Sequence, residues 1–526
     1  MASLLLSAIL LSAILLIVTT LLSIAIYRIY FSPLSHIPGP ILWRASRLPF
    51  AYNLFLGRLP YKISSLHEHY GPVVRIAPTE VSFITVEAWT DIYSVQKRED
   101  GSKVQMRKDP FMLLSPMEGT RDMIFELDDA EHARHRRIFS HAFSEKSLRD
   151  QEPIIAQHID RMSTRLNEIS DKPVDMSAWF NYLLFDTIGD LVLGESLHCL
   201  ETGTLHPWAN TFFSFAKGIT LMGMVERFWP LAPILMTFIP KAMQEAEAQH
   251  RAFTRDKLAN RLTKSSPRKD LISVISPFLT PTAPNNTLTL TELHNNTSVI
   301  VVAGSETTAT ALSGLTYHLL TNPTTLSHLK SEIRSTFTQA SDMTMDSTRS
   351  LPYLNAVISE SLRIYGPVPG SLRRITPKGG CVISGAGVPG GTIVAVDGYA
   401  ASHSAANFIS PKSFIPERWL STSDLKSLSL SLADADIVSK SEPATKELSP
   451  NHKKVVQPFS SGPRNCIGQR LALVEMRLVV ARLVWEFELE IEEESRKWVE
   501  GMKVYTLYER PPLMCRVRPV DVRGRE

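Results

Sequence analysis

The chain of 526 residues is 44% hydrophobic and 21% charged, which excludes wholesale disorder and allows a sizeable core in one large domain or several. Its 56 basic and 53 acidic side chains leave a formal charge of +3, too even a balance for nucleic acid to be the main partner. Four widely spaced cysteines with no C-x-x-C pair argue against a disulfide scaffold and a structural zinc site.

Residues 1–27 hold no charged side chain and are packed with Leu, Ile, Ala and Val. A run of about 20 apolar residues spans a bilayer core as a helix, so this segment is predicted to be a single transmembrane anchor. A cleaved signal peptide is the competing reading, but the basic n-region is missing and the apolar run is long. Arg28, Arg44 and Arg47 follow the span, which places the body on the cytosolic side. Residues 28–41 carry Pro33, Pro38 and Pro40 and are expected to form a stiff hinge. Residues 42–526 are then one body without internal repeats.

Helical patterns dominate that body. Short strands are expected at Val73-Val-Arg-Ile-Ala77, Val81-Ser-Phe-Ile-Thr85 and Gly391-Thr-Ile-Val-Ala-Val396. Thr280 to Asn286 and Ser421 to Lys454 read as polar surface loops. Sequons begin at Asn285, Asn295 and Asn296, and a cytosolic body leaves them unglycosylated. Asn322-Pro323 ends the best-marked helix. Thr289-Leu-Thr-Glu292 is a capping box, and about 32 residues at 1.5 Å each give nearly 50 Å, enough to cross a large domain. Its middle carries Ala303-Gly-Ser-Glu-Thr-Thr308.

Phe459-Ser-Ser-Gly-Pro-Arg-Asn-Cys-Ile-Gly468 precedes a helical run from Gln469 to Glu486. Cys466 thus sits near a helix N-terminus, where free N–H groups favour a thiolate. Gly462 and Gly468 allow close backbone approach to a flat ligand, and Arg464 offers a cation for a carboxylate on it. A thiolate, a close backbone and an anion clamp suit axial ligation of haem iron. By average residue usage, F-x-x-G-x-R-x-C-x-G arises by chance in about one such chain in 10,000.

This segment resembles the haem-ligand signature of the cytochrome P450 monooxygenases. Three more segments follow the family's order. Glu360-Ser-Leu-Arg363 resembles its E-x-x-R, and Phe414-Ile-Pro-Glu-Arg-Trp419 the segment whose arginine, here Arg418, completes a buried structural cluster. Ala303-Gly-Ser-Glu-Thr-Thr308 resembles the oxygen-binding groove, with Gly304 permitting a local helix opening, Thr307 bonding a distal oxygen and Glu306 relaying protons. The alternative is an ordinary small-residue helix crossing with Glu306 on a solvated face. His132-Ala-Arg-His-Arg136 stands in the place of W-x-x-x-R, with His132 for Trp, so His132, Arg136, Arg374 and Arg464 would hold the haem propionates.

The resemblance, from Pro33 to Pro519, implies a mainly α fold with a long central helix and a small β-rich lobe. It implies haem b on the Cys466 thiolate, framed by Phe459, Gly468, Ala303 and Gly304. The implied reaction inserts one atom of O2 into an apolar substrate. No nucleotide-binding fingerprint is evident, since Gly385-Ala-Gly387 lacks a third glycine. Electrons would therefore come from NADPH–cytochrome P450 reductase at the endoplasmic reticulum membrane, with cytochrome b5 as a second candidate donor. The basic residues Arg134, Arg137, Lys453, Lys454 and Arg470 are candidates for docking it.

Phe185-Asp-Thr-Ile-Gly-Asp-Leu191, Leu193-Gly-Glu-Ser196, His206-Pro-Trp208 and Glu131-His-Ala-Arg134 resemble fungal secondary-metabolite hydroxylases of the trichothecene type, implying a terpenoid or polyketide-like substrate. The expected substrate wall is the loop from Phe111 to Phe125, with Val299, Ala303, Val368 and Leu507. Two rivals keep the fold: an isomerase or dehydratase that does not use O2, and a haem sensor or carrier without turnover.

Overall fold

The computed structural model describes residues 2–97, 103–110, 121–228, 230–238, 241–264, 268–280, 286–428 and 453–520. The N-terminal helix α1, Ala2–Ile26, is apolar on every face and exposed along its length. It does not stop at Tyr27, because a wide π-type turn, Tyr27–Phe31, carries it on. Ser3–Phe31, 29 residues, is long and apolar enough to cross a membrane.

The proline-rich stretch is packed against the body. Leu34 and Ile37 are buried, and the Arg75 N–H donates to the Pro38 carbonyl at 2.7 Å. A Cβ on Gly39 would lie 2.3 Å from the Arg75 carbonyl oxygen, so only glycine lets the two backbones meet there.

Five strands form the sheet of the small lobe: β1 Val73–Ala77, β2 Glu80–Phe83, β3 Arg107–Lys108, β4 Arg374–Ile375 and β5 Ile393–Val396. Their order is β1-β2-β5-β4-β3, and β5 runs parallel to β2 with Val394 opposite Val81. All four residues of β5 are buried, which explains its unbroken run of β-branched and small side chains. The three expected strand segments are thus present, two of them slightly shorter than their sequence patterns.

Helices build the rest. Those that place the site are α2 Asp129–Ser140, α3 Met176–Leu193, α4 Leu290–Leu320, α5 Pro352–Ile364 and α6 Gln469–Glu486. The expected capping box opens α4: Thr289 accepts from the Glu292 N–H, and the Glu292 side chain accepts from the Thr289 N–H. Buried for most of its length, α4 runs through the main core against α3. Two sequons fall inside it, where Asn295 and Asn296 are buried and closed to glycosylation; Asn285 lies outside the described residues. Of the second expected loop, Thr422–Ser427 is a short helix, and 429–452 lies outside the described residues.

A buried ionic cluster joins α5 to the segment that leads to Cys466. Both Glu360 oxygens accept from Arg363 at 2.8 Å, Arg418 Nε adds a third bond at 3.1 Å, and Trp419 Nε1 a fourth at 2.8 Å. Arg363 spends its other N–H groups on the carbonyls of Ser402, Pro411 and Ser413. Phe408 lies beneath both guanidinium groups, 5.1 and 5.6 Å from its ring centre. Burial alone would raise the Glu360 pKa, but Arg363, Arg418 and Trp419 outweigh it and hold the carboxyl below its ordinary value. Glu360→Ala would strand two buried cations and should cost about 3–5 kcal/mol in denaturant unfolding. Arg149→Ala, which breaks an exposed pair with Glu145, should change little.

Candidate functional site

Between α4 and the loop before α6 lies a cavity of about 470 Å³. Its floor is the segment Phe459 to Gly468. The Cys466 N–H donates to the Phe459 carbonyl at 2.8 Å, which folds the loop back and turns Sγ toward the cavity. Gly462 has φ +75°, and a Cβ there would lie 2.0 Å from the Tyr93 carbonyl. This glycine is therefore demanded by the backbone of the small lobe, rather than by a flat ligand as the sequence suggested. Gly468 is the N-cap of α6 and lines the floor. Burial pushes the free Cys466 thiol up, against the N–H groups of Gly468 and Gln469 and the charge of Arg136. The helix start alone does not make a thiolate here; coordination to a metal ion deprotonates a thiol outright.

Basic side chains gather on the cavity wall: Lys108, His132, Arg136, Arg374 and Arg464 all line it. The Arg374 guanidinium lies 5.2 Å over the Tyr93 ring, and its Nε is buried without a hydrogen-bond partner among the described residues. Burial, then Arg464 and Arg374, push Lys108 down to about 7; burial, then Arg464, Lys108 and Arg136, push His132 down to about 3. Buried cations that depress one another describe a site short of negative charge. A planar ligand with a carboxylate edge fits that deficit, so the residues present suit haem with its propionates. All three arginines and Lys108 have protein partners as well: Arg374 Nη1 donates to the Arg373 carbonyl at 3.2 Å and Lys108 Nζ to the Ile124 carbonyl at 2.5 Å. Arg464 donates to Asp129 at 2.6 Å and to the Glu126 carbonyl, and Arg136 donates to Asn465 at 2.5 Å. Lys108 escaped the sequence reading because a lone lysine in a two-residue strand carries no pattern.

On the opposite wall, α4 presents Val299, Ile300, Ala303, Gly304, Thr307 and Thr308. The helix is unbroken here. Thr307 donates to the Ala303 carbonyl at 2.6 Å, and a Cβ on Gly304 would meet Ile188 of α3 at 3.0 Å. Gly304 thus serves the close crossing of α3 and α4, while no local opening is present.

Glu306 lies off the cavity wall. Its carboxylate accepts from Arg510 at 2.8 and 2.9 Å and from Thr310 at 3.2 Å, and Arg510 is further held by Ser313 and Asn181. Burial raises the Glu306 pKa in spite of Arg510. A solvated face is therefore wrong for Glu306, and so is a carboxyl facing the oxygen groove. Arg510 lies 204 residues away, too far for any spacing pattern to reveal the pair.

Of the expected substrate wall, Val299, Ala303 and Val368 line the cavity, joined by Met123 and Ile124. Phe125 does not line it; its N–H is tied to Asp122 Oδ1 at 3.0 Å, beyond the lining residues of that loop. Phe111 lies outside the described residues. Leu507 is also absent from the wall. It sits in β7, Leu507–Glu509, paired with β6, Lys503–Tyr505, and strand alternation gives the wall to Tyr508 and to Thr506 at the tip.

Among the basic candidates for partner docking, Arg137, Lys454 and Arg470 are exposed. Arg134 is instead engaged by Glu131 and Glu292. Of Gly385-Ala-Gly387, Gly385 lies in the turn of a hairpin, Cys381–Ile383 with Ala386–Val388, and Ala386 and Gly387 are in its second strand.

Comparison with known proteins agrees with this geometry. The family model described as Cytochrome P450 matches residues 43–515. A cytochrome P450 monooxygenase of Purpureocillium lilacinum (lcsI) is 39% identical over 501 residues, 94% of this chain and 91% of its own length. One of Hormonema carpetanum (efuB) is 37% identical, covering 94% of this chain and 93% of its own. An averantin hydroxylase of Dothistroma septosporum is 37% identical over 95% of this chain and 89% of its own length. With a cysteine on the cavity floor, cations on its wall and a match that spans the whole body, this chain belongs to the cytochrome P450 family and is one of its monooxygenases.

Proposed function

We propose that this protein is a membrane-anchored haem-thiolate monooxygenase that oxidises an apolar intermediate of fungal secondary metabolism, a terpenoid or polyketide-like compound. The observation that carries this reading is the cavity itself: Cys466 on its floor, a cluster of basic groups on its wall with Arg374 Nε without a hydrogen-bond partner among the described residues, and a largely apolar chamber under α4. Cys466 would be the axial ligand, and Arg374, Lys108, His132, Arg136 and Arg464 would hold the propionate edge. Haem bound there supplies reductive activation of O2, and a thiolate ligand favours O–O cleavage.

The chain's own residues do the rest. Val299, Ala303, Ile188 and Val368 exclude water and orient an apolar substrate by shape. Thr307 lines the cavity with a hydroxyl whose proton is held by the Ala303 carbonyl, leaving its oxygen able to accept a bond from the cavity side. Electrons would come from NADPH through cytochrome P450 reductase, with cytochrome b5 as an auxiliary, docking by charge near the exposed Arg137, Lys454 and Arg470. The helix Ser3–Phe31 would hold the body at the cytosolic face of the endoplasmic reticulum.

The test is turnover of haem-loaded protein with NADPH, reductase and 18O2 against a panel of terpenoids and polyketides that includes averantin. Product carrying one 18O atom is expected. Turnover without O2 would establish the isomerase reading, and tight binding without product the carrier. Separately, Arg374→Ala should remove a charge-assisted bond of about 1.5–3 kcal/mol and raise the rate of haem transfer to apomyoglobin by about 10-fold or more.

A further inference from the structure

Asn296, one of the two sequon asparagines inside α4, is fully buried, and its side chain is bonded to the cavity wall. Along α4 it precedes Val299, Ile300 and Ala303 at helical spacing, so it continues the face that lines the cavity, one turn before the lining begins. That face is apolar at the three positions that follow, and a polar amide there needs partners. It has two. Nδ2 donates to the Glu292 carbonyl at 2.8 Å, and Oδ1 accepts the Met123 N–H at 2.8 Å.

Met123 and Ile124 both line the cavity. The chain around them, residues 121–128, has no helix or strand to hold it. Asp122 shapes it from within: its Oδ1 accepts the N–H groups of Ile124 and Phe125 at 2.7 and 3.0 Å, and its carbonyl accepts from the Glu126 N–H at 2.9 Å. Those bonds form the turn without attaching it to another element. Among the described residues, two hydrogen bonds tie Met123 and Ile124 to the rest of the fold: the Met123 N–H to Asn296, and Lys108 Nζ to the Ile124 carbonyl at 2.5 Å. Lys108 also belongs to the basic edge of the cavity. Asn296 does not line the cavity and acts on it through Met123.

We propose that Asn296 is a specificity-determining positioning residue: it holds the wall made by Met123 and Ile124 against α4 and so sets the width of the chamber between them. The role rests on the monooxygenase reading above, in which an apolar compound is selected there by shape. A buried N–H left without an acceptor is costly, so the turn moves off α4 toward solvent once the amide is removed. A small ligand that does not reach the wall is indifferent to that movement. A ligand with a ring against Met123 and Ile124 loses its packing.

The test uses the full-length, haem-loaded protein, with Asn296→Ala and the near-isosteric Asn296→Leu both removing the acceptor. In hydrogen exchange followed by mass spectrometry, the Met123 amide should exchange about 10-fold faster in both variants. The second readout is the binding of imidazole and of phenylimidazole, followed in the haem absorption spectrum. The Kd for imidazole should keep its wild-type value, while that for phenylimidazole should rise by about 5- to 10-fold. Asn296→Asp, which keeps an oxygen acceptor, should restore part of both. Tyr317→Phe, which removes the bond from α4 to the Arg496 carbonyl away from the cavity, should change neither.

Wild-type exchange at Met123 in both Asn296→Ala and Asn296→Leu, an unchanged ratio of the two constants, or an equal change of that ratio in Tyr317→Phe would overturn the role. Wild-type protein that binds haem but neither azole would instead overturn the reading of this cavity as the reaction chamber.

Discussion

The buried carboxylate of Glu360 is the constraint on which the site depends. It gathers two buried guanidinium groups and an indole N–H from two separate segments, its own helix and the turn Pro416–Trp419. Neither arginine could be buried there without that charge, because an unpaired cation in the interior costs several kcal/mol. The cluster fixes the end of α5 to the turn Pro416–Trp419, and so sets where the chain departs toward the cysteine loop. From the other side, Gly462 brings that loop into backbone contact with Tyr93, whose hydroxyl donates to the Leu372 carbonyl beside Arg373 and Arg374. The position of Cys466 is thus held from both lobes.

Around that point, charge is distributed unevenly. One part of the cavity wall collects cations that depress one another, while the α4 side is apolar except for hydroxyls. Two buried glutamates nearby, Glu306 on α4 and Glu475 on α6, have opposite character. Glu306 is ion-paired and turned away from the chamber; Glu475 is unpaired and faces it.

Much of this was legible in the sequence where the information is local. The start of α4 follows from Thr289 and Glu292 and the bounds of α6 from the run after Gly468, whereas the buried cluster came from the family resemblance, since the i,i+3 pair alone reads as a surface pair. Contacts made across the fold were not legible. Arg510 reaches Glu306 from a distant hairpin, Lys108 reaches the cavity from a two-residue strand, and Glu475 is one acid in an otherwise ordinary helix. Leu507 was misplaced because an apolar residue in a hairpin does not announce which face it takes, and a shift of one residue exchanges wall for outside. Gly304 was read for a helix opening, yet the absence of its side chain answers to Ile188 on α3.

The most direct test of the account is the absorption spectrum of the reduced, CO-bound protein, recorded beside Cys466→Ala. A red-shifted thiolate-type Soret band in the wild type that is lost in the variant is the predicted result. Haem-loaded wild-type protein without that band, or a variant that retains it, would contradict the assignment of Cys466 as the iron ligand.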